Sequence, residues 1–241
     1  MEIKNFFNYS QTIFDAVKDQ ETDTISAAAK MIADSCADGG KLYLFGSGHS
    51  HMIAEEAYLR AGGLAFVKAI LPPELMLHEM PNKSTYLERL NGYAEILLDL
   101  YKVEKKDVLV VISNSGRNNV PVEMCLEAKK RGTTVIALTS LDHSAETTSR
   151  HFSGKKIADI ADITINNHAP KGDAAYPLSS SIQVGAVSSF TGTIIMQALI
   201  TQVVANLLEL GVDPPVFKSS NLDNADEYNE KLFDTHYGYW K

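Results

Sequence analysis

"DVLVVISNSGRNNVPVEMCLEAKKRGTTVIALTS" occupies Asp107–Ser140, and its reading decides the fold. Residues 107–113 form an apolar run with almost no alternation, the pattern of a strand buried on both faces of a parallel sheet. A turn of hydroxyls, an amide and a glycine follows at Ser113-Asn114-Ser115-Gly116, and Pro121 suits the first turn of a helix. The helix spans about 119–131, stops at Gly132 and leads into a second unalternating strand, 133–139. Strand, helix and strand in that order make parallel strands linked by a helix.

The rest of the chain keeps this rhythm. Phe6, Ile13, Phe14 and Val17, then Ile25, Ala28, Ala29 and Ile32, recur at helical spacing, so residues 2–38 read as helix up to Gly39-Gly40. A strand at 41–45, a helix at 50–61 ended by Gly62-Gly63, and a strand at 64–71 come next. Residues 72–92 fit the rhythm poorly and read as an excursion with some helix, and 93–102 is helical. A further strand at 161–166 and a long helix over about 184–210 complete the pattern, while the acidic, aromatic tail 212–241 has no clear period. The expected fold is α/β: a doubly wound, five-stranded parallel sheet flanked by helices, a three-layer sandwich of flavodoxin type. Ligands of such sheets sit outside the carboxyl ends of the strands, near the switch in strand order. The chain divides into a helical segment, 1–40, an α/β domain, 41–211, and a tail, 212–241, that packs on the domain or on a partner subunit.

The chain has 241 residues, 45% of them hydrophobic, and a net charge of −8. An acidic chain with no basic tract points away from nucleic acid and from anionic membrane surfaces. Its most apolar stretch, Thr191–Gly211, is interrupted by Gln197, Thr201, Gln202 and Asn206 and reads as a core helix rather than a membrane span. "MEIKNFFNYS" at the start has no secretory apolar region, so a cytoplasmic protein is expected. The two cysteines, Cys36 and Cys125, read as buried reduced thiols.

"FGSGHS" (Phe45–Ser50) repeats the hydroxyl turn at the end of the first strand. Gly46 and Gly48 permit a tight turn and close approach of a ligand, and Ser47 and Ser50 add hydroxyls at a helix N-terminus that favours an anion. The third glycine of a dinucleotide fingerprint is missing, as is the Gly-Lys-Ser/Thr of a P-loop. Taken alone, Ser50 is also a plain helix cap. Two such turns, with Thr139 and Ser140 ending another strand, read together as a metal-free phosphate cradle.

"FGSGHS" followed by "SNSGRN" and "AKKRGTTVIALTS" resembles the SIS (sugar isomerase) phosphosugar-binding domain. Ser113, Ser115, Gly116, Ala128, Lys129, Gly132 and Thr139 match its second motif in place, and Asn118 stands where a threonine is usual, its amide still able to donate to phosphate. The resemblance covers roughly 25–210 and makes 41–211 an SIS domain. "AAAKMIADSCADGGKLYLFGSGHSHMIAEE" is similar to the opening of bacterial phosphoheptose isomerases, while "SGKKIADIADI" and "PKGDA" resemble SIS proteins of the UPF0309 type.

The resemblance implies a sugar phosphate held by Gly46, Ser47, Gly48, Ser50, Ser113, Asn114, Ser115, Gly116, Asn118 and Thr139, with Ser188, Ser189 and Thr191 of the last helix facing the sugar. It implies a glutamate base on the helix after the first turn, where both Glu55 and Glu56 stand; Glu56 is preferred, although glutamates are favourable there in any case. His49 or His51 would assist ring opening, with His78 as an outside candidate; each also reads as an ordinary loop histidine. His168, Lys171 and Asp173 could meet sugar hydroxyls, and Arg150, Lys155 and Lys156 a second anion, or both groups could be solvated loop residues. No histidine occurs from Gly185 to Gly211, and the first helix is about one turn shorter than in metal-bound relatives. No zinc, no other cofactor and a substrate other than the heptose phosphate are therefore expected. The implied function is a cofactor-free sugar-phosphate isomerase, a homodimer or homotetramer, with a non-catalytic phosphosugar sensor or an amino-sugar-phosphate etherase as alternatives.

Overall fold

Apolar strands with no polar face must be covered on both sides, and this requirement sets the layering. The structure is a computed structural model of the chain and describes residues 1–238. In chain order the elements are α1 (Glu2–Ala37), β1 (Leu42–Gly46), α2 (His49–Glu56), β2 (Val67–Ile70), α3 (Lys83–Leu87), α4 (Tyr93–Leu100), β3 (Val108–Ile112), α5 (Asn119–Lys130), β4 (Thr134–Thr139), α6 (Leu141–Ala145), β5 (Ile163–Asn166), β6 (Ala174–Pro177), β7 (Gln183–Ala186), α7 (Ser188–Glu209) and α8 (Ala225–Tyr237). The first five strands form one sheet in the order β2-β1-β3-β4-β5, every neighbouring pair parallel. Leu42, Leu44, Val108, Val110 and Ile112 point into a core shared with α1, α2 and α7. Tyr43, Phe45, Leu109 and Val111 point the other way, into a core with α4 and α5. The expected three-layer, five-stranded α/β fold is therefore the fold observed. The strand order reverses between β1 and β3, so their carboxyl ends flank the switch point.

α7 is long and apolar enough to cross a membrane by length and composition, yet Ile195, Met196, Leu199, Ile200 and Val203 are buried inside the fold. Gly192 lets Ile53 of α2 pack directly on its backbone. Cys125 is buried as expected, whereas Cys36 is only half-buried, its thiol pushed up to about 11 by burial.

Several expected spans need correction. α2 stops at Glu56 rather than 61, and the following loop carries Leu59 at a left-handed φ of 48°. Residues 64–66 are not part of β2; Leu64 instead bridges Val216 in antiparallel fashion. Residues 184–186 are not helical. They belong to an antiparallel hairpin, β6–β7, that packs on the start of α1, and Gly185 leaves room for the Phe6 ring. The tail also contains α8, which lies over the edge strand β2: the Tyr237 hydroxyl donates to the Val67 carbonyl (2.7 Å) and Lys68 Nζ to the His236 carbonyl (2.8 Å). Tyr239 and Trp240 of the tail lie outside the described residues.

Lys68 is 6% exposed beneath α8. Burial, with a smaller effect from Lys41, lowers its ammonium pKa to about 7. The unfolded chain keeps that proton to about 10.4, so it binds more protons than the folded chain above pH 7, and stability rises with pH there. Between about pH 7 and 8.5, below the ordinary cysteine range, the unfolding free energy should rise by about 1.5 kcal/mol. Urea titrations across that window should show the rise, and Lys68→Met should flatten it.

Candidate functional site

The parallel register aligns Gly46 with Ile112, Ile112 with Leu138, and Thr139 with Asn166. The residues that follow the strands therefore line one edge of the sheet. Asn114 ties this edge together. Its carbonyl accepts from the Ser140 N–H (3.1 Å) and the Thr139 hydroxyl (3.2 Å), and its side-chain oxygen from Asn167 Nδ2 (3.0 Å).

The turn after β3 is built around Gly116 at φ +61°, whose N–H donates to Ser113 Oγ at 3.2 Å. Ser113 is buried and Ser115 half-buried. Asn118 occupies the N-cap position of α5, but its side chain does not cap the helix. Its Nδ2 donates to Glu88 Oε1 (2.7 Å), and its Oδ1 accepts from an Arg150 guanidinium N–H (2.7 Å). A carboxylate on one side and a guanidinium on the other fix which way the amide faces.

The turn after β1 needs both its glycines. A Cβ on Gly46 would collide with the backbone carbonyl of Ser50, and Gly48 sits at φ 58°, ψ −129°, with its N–H donating to the Leu75 carbonyl (2.9 Å). The Ser47 hydroxyl donates to Glu88 Oε2 at 2.6 Å. Ser50 is half-buried and His49 exposed at the start of α2. Glu88 thus joins the two hydroxyl turns. It follows α3 directly, and its carbonyl accepts from the Val120 N–H (2.9 Å), while Asn119 Nδ2 donates to the Arg89 carbonyl (2.8 Å). Sequence reasoning did not single out Glu88, because residues 72–92 carry no period and no motif.

The other expected residues fall as follows. Glu55 is exposed; its Oε2 lies 3.9 Å from Nδ1 of His51. His51 is 1% exposed with Nε2 unpartnered, and burial lowers its pKa, opposed by Glu55 and reinforced by His78. His78 itself is exposed. Glu56 pairs with Arg60 and accepts from Gln197 Nε2 of α7 (2.9 Å). Ser188 gives its N–H (2.8 Å) and hydroxyl (2.7 Å) to Asp173, which caps α7; Ser189 is half-buried, and the buried Thr191 hydroxyl turns back to the Val187 carbonyl. His168 pairs with Glu21 (3.2 Å) and Lys171 with Glu146 (2.5 Å), while Lys156 Nζ donates to the Thr147 carbonyl (3.0 Å) and Lys155 is exposed. The structure therefore brings together the two turns, Thr139 and Arg150, while Glu56 bonds Arg60 and Gln197, and Ser188 and Asp173 bond each other.

Positive charge gathers here. The Arg150 N–H donates to the Arg117 carbonyl (2.9 Å), and Arg117 Nε is buried without a partner. Burial, then Arg117 and Arg89, disfavour the charge on Arg150, and Glu88 opposes them. Among the described residues no three His, Cys, Asp or Glu side chains converge as metal ligands. Hydroxyls, amides and guanidiniums around a helix N-terminus suit an anion.

The SIS domain family matches residues 5–140. A UPF0309 protein of Halalkalibacterium halodurans is 53% identical over 229 residues, 95% of this chain and 93% of its own length. Among solved structures, the phosphoheptose isomerase GmhA from Neisseria gonorrhoeae aligns at a TM-score of 0.60 and 19% identity over 85% of this chain and 97% of that one. The Vibrio vulnificus NanR protein complexed with ManNAc-6P aligns at a TM-score of 0.53 and 13% identity over 98% of this chain and 70% of that one. Both structures share the fold.

The collision at Gly46 makes the β1–α2 turn sensitive to a single methyl group. Gly46→Ala should cost about 1–3 kcal/mol of stability, seen as a lowered Tm in a thermal melt, whereas Gly39→Ala, where a Cβ meets open space, should cost less despite its φ of +75°.

Proposed function

The chain belongs to the SIS-domain family, in its UPF0309 branch, and on that footing we propose that it binds a sugar phosphate and interconverts its aldose and ketose forms without a cofactor. The observation that carries this reading is the meeting of two hydroxyl turns at the switch point of the sheet, joined through Glu88 and flanked by Arg150. In this reading the phosphate lies against Ser113, Ser115 and the start of α5, with Ser50 on the opposite turn. The open-chain sugar extends along the strand ends. A carboxylate takes the proton from the carbon beside the carbonyl, and the same proton or one from solvent returns to the neighbouring carbon. The structural likeness to a phosphoheptose isomerase supports the reading at the level of fold.

A sensor that binds without turnover is the second reading, supported by the fold shared with a NanR protein complexed with ManNAc-6P.

Incubation with hexose, heptose and amino-sugar phosphates in D2O, followed by NMR, tests both. At least one compound should take up deuterium beside its carbonyl, and Ser115→Ala should weaken its binding roughly tenfold, the loss of one charge-assisted hydrogen bond. Binding without exchange favours the sensor. No binding by any sugar phosphate rules out both.

A further inference from the structure

We propose that Glu88 is the carboxylate that moves the proton in this site. The proposal rests on the phosphosugar reading above and assigns its base to a residue outside the helix where the resemblance implies one.

The first support is position. Glu88 is hydrogen-bonded to both hydroxyl turns, to Ser47 after β1 and to Asn118 after β3, at the place where the strand order reverses. Glu55 is exposed, and Glu56 pairs with Arg60 and accepts from Gln197 of α7.

The second is orientation. Each Glu88 oxygen accepts one neutral hydrogen bond and keeps further lone-pair capacity. Arg150 donates to the Asn118 oxygen, which orients the amide toward Glu88, and the Glu88 backbone is anchored by the Val120 N–H. A base held in this way before the ligand arrives loses little freedom in the reaction.

The third is charge. A simple brace between two turns needs only a neutral acceptor. A carboxylate carries negative charge into a cradle whose other groups suit an anion, and so it opposes phosphate binding. Arg150, whose charge Glu88 supports, offsets that cost, and a carboxylate adds what a neutral brace lacks, a group able to take a proton.

In the step assigned to it, a Glu88 oxygen takes the proton from the carbon beside the carbonyl of an open-chain aldose phosphate. The C–H electron pair becomes the C=C bond of an enediolate as the carbonyl π pair moves onto oxygen. The carboxylic acid so formed returns the proton to the adjacent carbon, and a proton shift between the two oxygens completes the ketose. Nothing is oxidised or reduced outside the sugar.

The test measures sugar-phosphate binding and deuterium exchange in D2O for the wild type, Glu88→Gln, Glu88→Asp and Glu56→Gln. Glu88→Gln should bind at least as tightly as the wild type and exchange roughly 10²–10⁴-fold more slowly, the usual worth of a general base. Glu88→Asp, which keeps the charge but draws it back, should bind normally and exchange at an intermediate rate; it decides the matter if Glu88→Gln does not fold. Glu56→Gln should keep exchange. Wild-type exchange in Glu88→Gln, or in Glu88→Asp if Glu88→Gln does not fold, overturns the proposal and leaves the phosphosugar reading standing, as does loss of exchange in Glu56→Gln alone. A wild type that binds without exchange leaves Glu88 no proton to move and overturns it too. A wild type that binds no sugar phosphate removes the phosphosugar reading itself.

Discussion

Burial of the sheet on both faces governs everything else in this fold. Along β1, Leu42 and Leu44 face one core while Tyr43 and Phe45 face the other, and β3 repeats the arrangement. Strands used in this way have no side chains left for chemistry. Polar groups appear where the strands stop, and parallel strands all stop, at their carboxyl ends, on the same edge. The order β2-β1-β3-β4-β5 then parts the connections on either side of the β1–β3 seam. Ser47 and Ser113 stand at that seam because the strands carrying them are neighbours.

The seam is held by a chain of side-chain contacts, Ser47 to Glu88, Glu88 to Asn118 and Asn118 to Arg150. Each link constrains the next. The guanidinium sets the amide, the amide and the hydroxyl set the carboxylate, and the backbone at Val120 sets the segment that carries it. Arg89 and Arg117 add positive charge beyond what one carboxylate balances. A site assembled from rigid turns and fixed side chains can hold a ligand with little further ordering, and both binding and catalysis gain from that.

Much of the fold was legible in the sequence. β1, β3 and β4 announce themselves as short apolar runs closed by glycine or hydroxyl residues, and α1 and α5 by their spacing. The two turns were legible because glycine and serine act locally. The hairpin was not, since β7 is four residues long and mostly exposed, and its place depends on the Phe6 ring against Gly185. Nor was α8, whose anchors, Tyr237 on Val67 and the His236 carbonyl on Lys68, are distant in the chain. Asp173, arriving from the loop before the hairpin, accepts the N–H and hydroxyl of Ser188, a contact that no local pattern in the sequence announces.

The sequence by itself determined the α/β class, the parallel sheet and the two hydroxyl turns, because periodicity and turn chemistry are properties of neighbouring residues. Only the tertiary structure decided which carboxylate meets those turns. Glu88 lies 41 residues from Ser47 and 30 from Asn118, in a segment without period or motif. Glu55 and Glu56 are the nearest glutamates to the first turn along the chain, yet α2 leaves Glu55 exposed and turns Glu56 toward α7. Contacts between distant residues follow from how the layers pack, and no local pattern carries that information.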